Sequence, residues 1–144
     1  MKREWTAGYV LCVSAGVVMI LAAFLPWGST ITPPRMYTAI ELRFFAPFFA
    51  TLLMGAALVV VGLLRRSWAA AVAMAGAFGA GIMMLMIHGD LYGRLTAAGA
   101  HLGADLGHPY GFGVAVFLAN GVLAFAAAVA ISVESEPAIP RRAA

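Results

Sequence analysis

The chain has 144 residues, of which 63% are hydrophobic and only 10% are charged. A soluble domain usually carries about a quarter charged residues, so this composition leaves little room for a water-soluble domain. The formal net charge of +3 does not indicate nucleic-acid binding, because the basic residues lie at the ends of apolar segments and not in one patch. A single cysteine, Cys12, excludes an internal disulfide and with it the membrane disulfide-exchange enzymes, which need paired cysteines.

Four uncharged apolar segments of about twenty residues fill most of the chain. We predict helices over about residues 7–27, 44–64, 68–88 and 111–133, because twenty helical residues rise about 30 Å, roughly the hydrocarbon thickness of a bilayer. Backbone groups in lipid also need internal partners, which a helix supplies. The predicted fold class is all-α: a polytopic membrane protein whose residues 1–133 form a four-transmembrane-helix bundle, followed by a disordered cytoplasmic tail over 134–144.

The basic residues predict the orientation of this bundle through the positive-inside rule. One side carries six of them, namely Lys2, Arg3, Arg65, Arg66, Arg141 and Arg142. The other side carries Arg35, Arg43 and Arg94. Both termini are therefore expected in the cytoplasm, with outer loops over 28–43 and 89–110. The abundance of Arg, Ala and Gly suggests a bacterial protein, located in the plasma (inner) membrane as a multi-pass chain.

Aromatic residues lie near the predicted ends of the spans. They are Trp5, Tyr9, Trp27, Trp68 and Tyr110. Aromatic belts place Trp and Tyr at the two membrane–water interfaces, where the ring is apolar and its N–H or O–H stays wet. We therefore expect these five rings to lie at the interfaces.

The first outer loop contains a segment with strand-like alternation. From Met36 to Phe45, residues such as Thr38 and Ile40 alternate with Tyr37 and Ala39, which favours a short strand or an interfacial segment. Glu41 and Arg43 are candidates for an ion pair in this loop, and the exposed edge here is a candidate partner-binding surface.

Small residues recur at four-residue steps within the spans. Helix 3 carries Ala69, Ala73, Ala77 and Gly81, and helix 2 carries Thr51 and Gly55. Helix association in lipid depends on such small residues, since burial alone does not drive it. The pattern fits packing within one bundle, or docking of a partner helix or a second copy.

Asn120 is the most polar side chain within a span. In lipid it needs an interhelical hydrogen bond or a ligand, whereas Ser14, Thr51 and Ser132 can bond back to their own helices. A central cavity lined by Asn120, Ser14 and Thr51 would favour transport of a hydrophobic compound.

The second outer loop holds all the histidines and aspartates of the chain: His88, Asp90, His101, Asp105 and His108. Residues 91–107 have helical periodicity, which favours a helix at the interface or an extension of helix 3. Frequent glycines favour an irregular loop instead. On one helix face, His101, Asp105 and His108 would be candidate ligands of a divalent metal such as zinc. The alternative is that these side chains remain hydrated at the interface and bind no metal. No other cofactor is expected.

Two short motifs carry a family resemblance. The segment from Leu25 to Gly28, Leu-Pro-Trp-Gly, closes helix 1, and Gly111-x-Gly113 opens helix 4. This layout resembles uncharacterised small four-helix membrane proteins of actinobacteria, which often have Pro-Trp at the outer end of helix 1. The resemblance implies an inner-membrane location.

Three functions fit the sequence. Because the spans lack ionisable groups and a catalytic constellation, we expect a non-catalytic integral membrane protein, an accessory or stabilising subunit of a larger membrane or envelope complex. Its partners would be the lipid bilayer and other membrane proteins. A small homo-oligomeric transporter or binder of a lipid or hydrophobic compound is the second possibility. A metal-binding membrane protein with its site at the outer face is the third.

Overall fold

Four helices make up most of the chain in its computed structural model, which describes residues 6–30, 35–66, 68–97 and 110–135. The helices are α1 (Ala7–Phe24), α2 (Phe45–Leu64), α3 (Ala69–Ala97) and α4 (Phe112–Ser135). Each contains a segment long and apolar enough to cross a membrane. The prediction of four such helices is therefore confirmed.

The helices form a bundle in which α1 packs against both α2 and α4, while α3 packs mainly against α4 and more sparsely against α2. The α1–α2 contact is unusually close. A Cβ atom added to Gly16 would lie 2.6 Å from the carbonyl oxygen of Gly55, and one added to Gly55 would lie 2.8 Å from Ile20. Small residues at a crossing let two backbones approach this closely.

A β-hairpin follows α1, so the all-α prediction was incomplete. Strand β1 (Pro26–Thr30) pairs antiparallel with β2 (Arg35–Thr38), with an irregularity between Pro26 and Gly28. Helix α1 ends at Phe24, three residues before the predicted end, because Pro26 disfavours helical geometry at the residue before it. Leu25 is accordingly extended, with φ −75° and ψ 160°.

The hairpin is tied to the start of α4. Gly111 donates its N–H to the carbonyl of Trp27 at 2.9 Å, and Gly28 forms a β-bridge with Tyr110. A Cβ at Gly111 would overlap the carbonyl of Pro26, and one at Gly113 would lie 2.8 Å from the same oxygen. Both glycines of the Gly111-x-Gly113 motif therefore allow α4 to begin directly against β1.

Two segments predicted to lie outside the spans are helical. Helix α3 continues through residues 89–97 of the predicted second outer loop, so the predicted extension of helix 3 is present as far as Ala97. Helix α4 continues to Ser135, past the predicted start of the tail at 134. Glu134 accepts hydrogen bonds from the Gly8 N–H at 3.3 Å and from the Thr6 hydroxyl. That carboxylate joins the end of α4 to the start of α1, where the helix dipole favours a negative charge.

The core formed by the described residues consists of two clusters. One lies between the helices and includes Cys12, Met19, Leu58, Phe117 and Ile131. The other lies at the end of the bundle that carries β1, β2 and the turn over 39–43, which we call the hairpin end. Its members come from the hairpin and turn, from the end of α1, from the starts of α2 and α4 and from the second half of α3: Ala23, Trp27, Tyr37, Ala39, Leu42, Phe44, Phe48, Ile87, Leu91, Leu95 and Val114.

Candidate functional site

Trp27 is the largest fully buried side chain of the hairpin-end cluster. It is only 1% exposed, its indole N–H donates to the Ala22 carbonyl at 3.0 Å, and its ring lies 6.1 Å from that of Phe44 and 6.3 Å from that of Phe117. Tyr9 is also buried, at 5% exposure. These two rings therefore pack inside the bundle, and the expectation that they lie at the membrane–water interfaces stays a prediction. Trp27 joins the hairpin to the helices through its contacts with Ala22 and Phe117.

Arg94, on the extension of α3, anchors the turn that leads into α2. Its guanidinium donates from Nη1 to the carbonyls of Leu42 at 3.3 Å and of Arg43 at 2.7 Å. It pairs through Nε with Asp90, one helical turn earlier, and lies 4.5 Å above the ring of Phe44. Charge-assisted bonds and a cation–π contact together fix this side chain against the turn.

Glu41 forms its ion pair with Arg35, at 3.8 Å, and not with Arg43 as predicted. Its carboxylate accepts from the Thr38 N–H at 2.7 Å and from the Thr38 hydroxyl at 3.0 Å. These two bonds, with a smaller contribution from Arg35, lower the pKa of Glu41. The stabilisation that these bonds give the turn is fully present at pH values above the unfolded-state pKa of Glu41. It is lost as the pH falls through the lowered pKa that Glu41 has in the folded state.

His88 and Tyr110 form a second contact at the hairpin end. The rings stack with centroids 5.9 Å apart and an interplanar angle of 17°, and Nδ1 of His88 hydrogen-bonds the Tyr110 hydroxyl. The Ser29 hydroxyl donates to the Tyr110 carbonyl at 3.3 Å. Tyr110 thus connects α3, β1 and the start of α4.

The predicted metal ligands His101, Asp105 and His108 lie outside the described residues. Within the described ranges, no three His, Cys, Asp or Glu side chains are placed to hold a metal ion together. The metal-site hypothesis therefore stays a prediction about the segment between α3 and α4.

A groove runs between α3 and α4 on the outer surface of the bundle. Its volume is about 670 Å³. Large apolar side chains form its walls, namely Phe78, Ile82, Leu85, Leu118, Val122 and Phe125, and Ala77, Gly81 and Gly121 are among the smaller residues that line it. We call it the α3/α4 groove.

The predicted small-residue positions fall into different environments. Ala73 is fully buried in the core, and Gly55 lies at the α1–α2 crossing. Ala77 is half-buried and packs beside the core cluster. Gly81 is exposed, and a Cβ added to it would meet nothing within 4 Å. The described helices therefore leave open space in front of Gly81.

Asn120 is buried in the bundle with 1% exposure. Neither its amide nitrogen nor its amide oxygen has a hydrogen-bond partner among the residues that the structure describes. Thr51 donates to the Pro47 carbonyl at 2.7 Å and Ser132 to the Ala128 carbonyl at 2.8 Å, both within their own helices. Ser14 lies on an exposed face of α1, so it does not share a cavity with the buried Asn120 and Thr51.

Sequence reasoning missed the anchoring roles of Trp27 and Arg94. Both residues act on partners far along the chain, and the acceptors of Arg94 are backbone carbonyls, which leave no trace in a sequence pattern. The only available signal was the spacing of Asp90 and Arg94, which lie one helical turn apart and can form an ion pair on a helix. Comparison with protein-family models, with curated proteins and with solved structures finds no match. The resemblance to small actinobacterial membrane proteins therefore stays a prediction.

Proposed function

We propose that the chain is a four-span integral membrane protein of the plasma (inner) membrane. All four helices present large apolar side chains to their surroundings. Examples are Leu21 at 58%, Leu53 at 74%, Leu85 at 74% and Val122 at 72% exposure. Soluble monomers rarely expose contiguous apolar surface on this scale, whereas lipid covers it without cost.

We further propose that the hairpin end faces outward. Arg35, Arg43 and Arg94 belong to that end, while Arg65 and Arg66 follow α2 at the opposite end. The remaining predicted inner basic residues flank the start of α1 and the end of α4, which also lie at the opposite end. The positive-inside rule then favours that end as the cytoplasmic one.

In this membrane the protein would act as a non-catalytic accessory subunit that binds a transmembrane helix of another protein in the α3/α4 groove. The observation that carries the proposal is Gly81, an exposed glycine at mid-span with open space in front of it. Gly121 lies in the same groove, opposite on α4. Helix pairing in lipid depends on close approach at small residues, and the large side chains of the walls would contact the sides of the incoming helix.

The test is to fill the groove without disturbing the bundle. Gly81→Leu adds a side chain where the chain leaves open space, so the variant is expected to fold but to lose its partner. Gly89→Leu is the matched control: it lies on the same helix, also meets nothing within 4 Å and is not part of the groove. The complex is purified from its native membrane in mild detergent and its subunits are identified by native mass spectrometry.

A photo-reactive residue at Ile82, in the groove, is expected to crosslink one discrete protein. The same residue at Leu53, on the exposed face of α2, is expected to crosslink lipid. If the protein crosslinked at Ile82 is a second copy, the chain is a homo-oligomer and not an accessory subunit. Identical complexes from Gly81→Leu and Gly89→Leu would refute the groove as the binding surface.

A further inference from the structure

A pocket with charges of both signs lies at the hairpin end. The turn over 39–43 forms one wall with Glu41, Leu42 and Arg43, and the last turns of α3 form the other with Asp90, Gly93, Arg94 and Ala97. Its volume is about 530 Å³, within the range of about 300–1,000 Å³ typical of small-molecule sites. We call it the hairpin-end pocket.

Two of its four charged side chains neutralise each other. Asp90 and Arg94 form an ion pair, and Arg94 is further held by the carbonyls of Leu42 and Arg43. A guanidinium bound on several sides does not reorient easily. The Asp90–Arg94 pair therefore forms a fixed wall of the pocket and offers no unpaired charge to a ligand.

Glu41 keeps an accessible carboxylate oxygen. Both bonds from Thr38 go to Oε2, while Oε1 has only the long contact of 3.8 Å with Arg35. The same bonds lower the pKa of Glu41, so the group is anionic at neutral pH. It can therefore accept a hydrogen bond from an ammonium group.

Arg43 supplies the opposite charge. Its backbone is left-handed, with φ 57°, its side chain is exposed, and the described part of the chain provides no carboxylate within ion-pair distance of it. An exposed arginine without a carboxylate beside it suits a phosphate group, which its planar guanidinium binds through two parallel hydrogen bonds. Glu41 and Arg43 both belong to the turn that forms one wall, so this wall carries both signs of charge.

We propose that the hairpin-end pocket binds the zwitterionic headgroup of an aminophospholipid, with the phosphate on Arg43 and the ammonium on Glu41. The pocket lies just beyond Phe45, where the apolar span of α2 begins, and Leu91, where that of α3 ends. In a bilayer this is the depth of the headgroups. The inference rests on the membrane insertion proposed above but not on the partner helix in the α3/α4 groove.

Native mass spectrometry of the purified chain in detergent, titrated with phosphatidylethanolamine, tests the assignment. Arg43→Asn and Glu41→Gln are each expected to weaken binding by about two- to fivefold, the scale of an exposed charge pair. Asn tolerates the left-handed backbone, so Arg43→Asn should fold. Arg66→Asn, at the opposite end, is the matched control and is expected to bind as the unaltered chain does. Phosphatidylglycerol, which lacks the ammonium, should bind more weakly and be insensitive to Glu41→Gln.

Equal binding of the two lipids, or unchanged binding by Arg43→Asn, would overturn the site. Competition by soluble glycerophosphoethanolamine as strong as by the lipid would assign the headgroup chemistry to a water-soluble ligand and overturn the lipid assignment. Alkaline extraction of membranes distinguishes a failure of the lipid site from a failure of the proposed membrane insertion. A chain released by alkali is not inserted, whereas a retained chain without headgroup preference refutes only the pocket.

Discussion

Asn120 and Thr51 are both buried polar residues, yet only one of them has its hydrogen bonds satisfied. Thr51 donates to the carbonyl of Pro47 within its own helix. Both amide atoms of Asn120 lack a partner within the described ranges. A buried polar group left unpaired costs about 1–3 kcal/mol. Asn120 therefore lowers the stability of the bundle unless something outside the described chain, such as an ordered water, pairs with it.

Replacing Asn120 with Leu is expected to raise the melting temperature in detergent, because an apolar side chain of similar size removes the unpaired amide. Thr51→Val is the control at another fully buried position. It removes a hydroxyl whose bond is already made, so it should leave stability unchanged or lower it by about 1 kcal/mol. A lower melting temperature for Asn120→Leu would contradict this prediction.

At the scale of the elements, the α1–α2 crossing is where backbone atoms of one helix come closest to a glycine of another. A Cβ at Gly16 would lie 2.6 Å from the Gly55 carbonyl oxygen and 2.7 Å from the backbone nitrogen of Val59. Backbone atoms cannot move aside as a flexible side chain can. The two helices would have to separate to admit even one methyl group.

Gly16→Ala is therefore expected to destabilise the bundle by about 1–3 kcal/mol, the usual cost of overpacking. Gly81→Ala should be neutral or slightly stabilising, since Ala favours a helix by about 1 kcal/mol over Gly and its methyl group enters open space. Thermal unfolding of the two variants, followed by circular dichroism, measures the difference. Equal melting temperatures of the two variants would show that α1 and α2 do not cross at Gly16 and Gly55.

The elements also show what a sequence can and cannot predict here. The four helices are predictable because each long apolar segment satisfies its own backbone, whatever its neighbours do. The end of α1 at Phe24 is also readable from Pro26, which disfavours helical geometry at Leu25. The burial of Trp27 is not, because the partners Phe44 and Phe117 are brought to the ring only by the fold. The anchoring by Arg94 escaped for the same reason: its acceptors are carbonyls 51 and 52 residues away.

For the molecule as a whole, the two ends of the bundle differ in construction. The hairpin end is closed by an aromatic cluster, a two-stranded sheet and the bonds of Arg94. The opposite end is joined by the contact of Glu134 with Thr6 and Gly8 and by the short link between α2 and α3. A rigid, structured end with a polar pocket suits contact with other molecules, and a short link suits a purely connecting role.

The asymmetry makes orientation the most informative property to measure, and Cys12 makes the measurement simple. The only cysteine is fully buried, so the unaltered chain should not react with a membrane-impermeant maleimide. A cysteine in place of Ile40, which is 49% exposed at the hairpin end, is expected to be labelled on intact spheroplasts. A cysteine in place of Arg66, exposed at the opposite end, should be labelled only after permeabilisation.

The reverse pattern would place the hairpin in the cytoplasm and contradict the charge rule. Labelling of both variants on intact spheroplasts would refute the four-span arrangement, because one span, α2, separates Ile40 from Arg66 and must place them on opposite sides of the membrane.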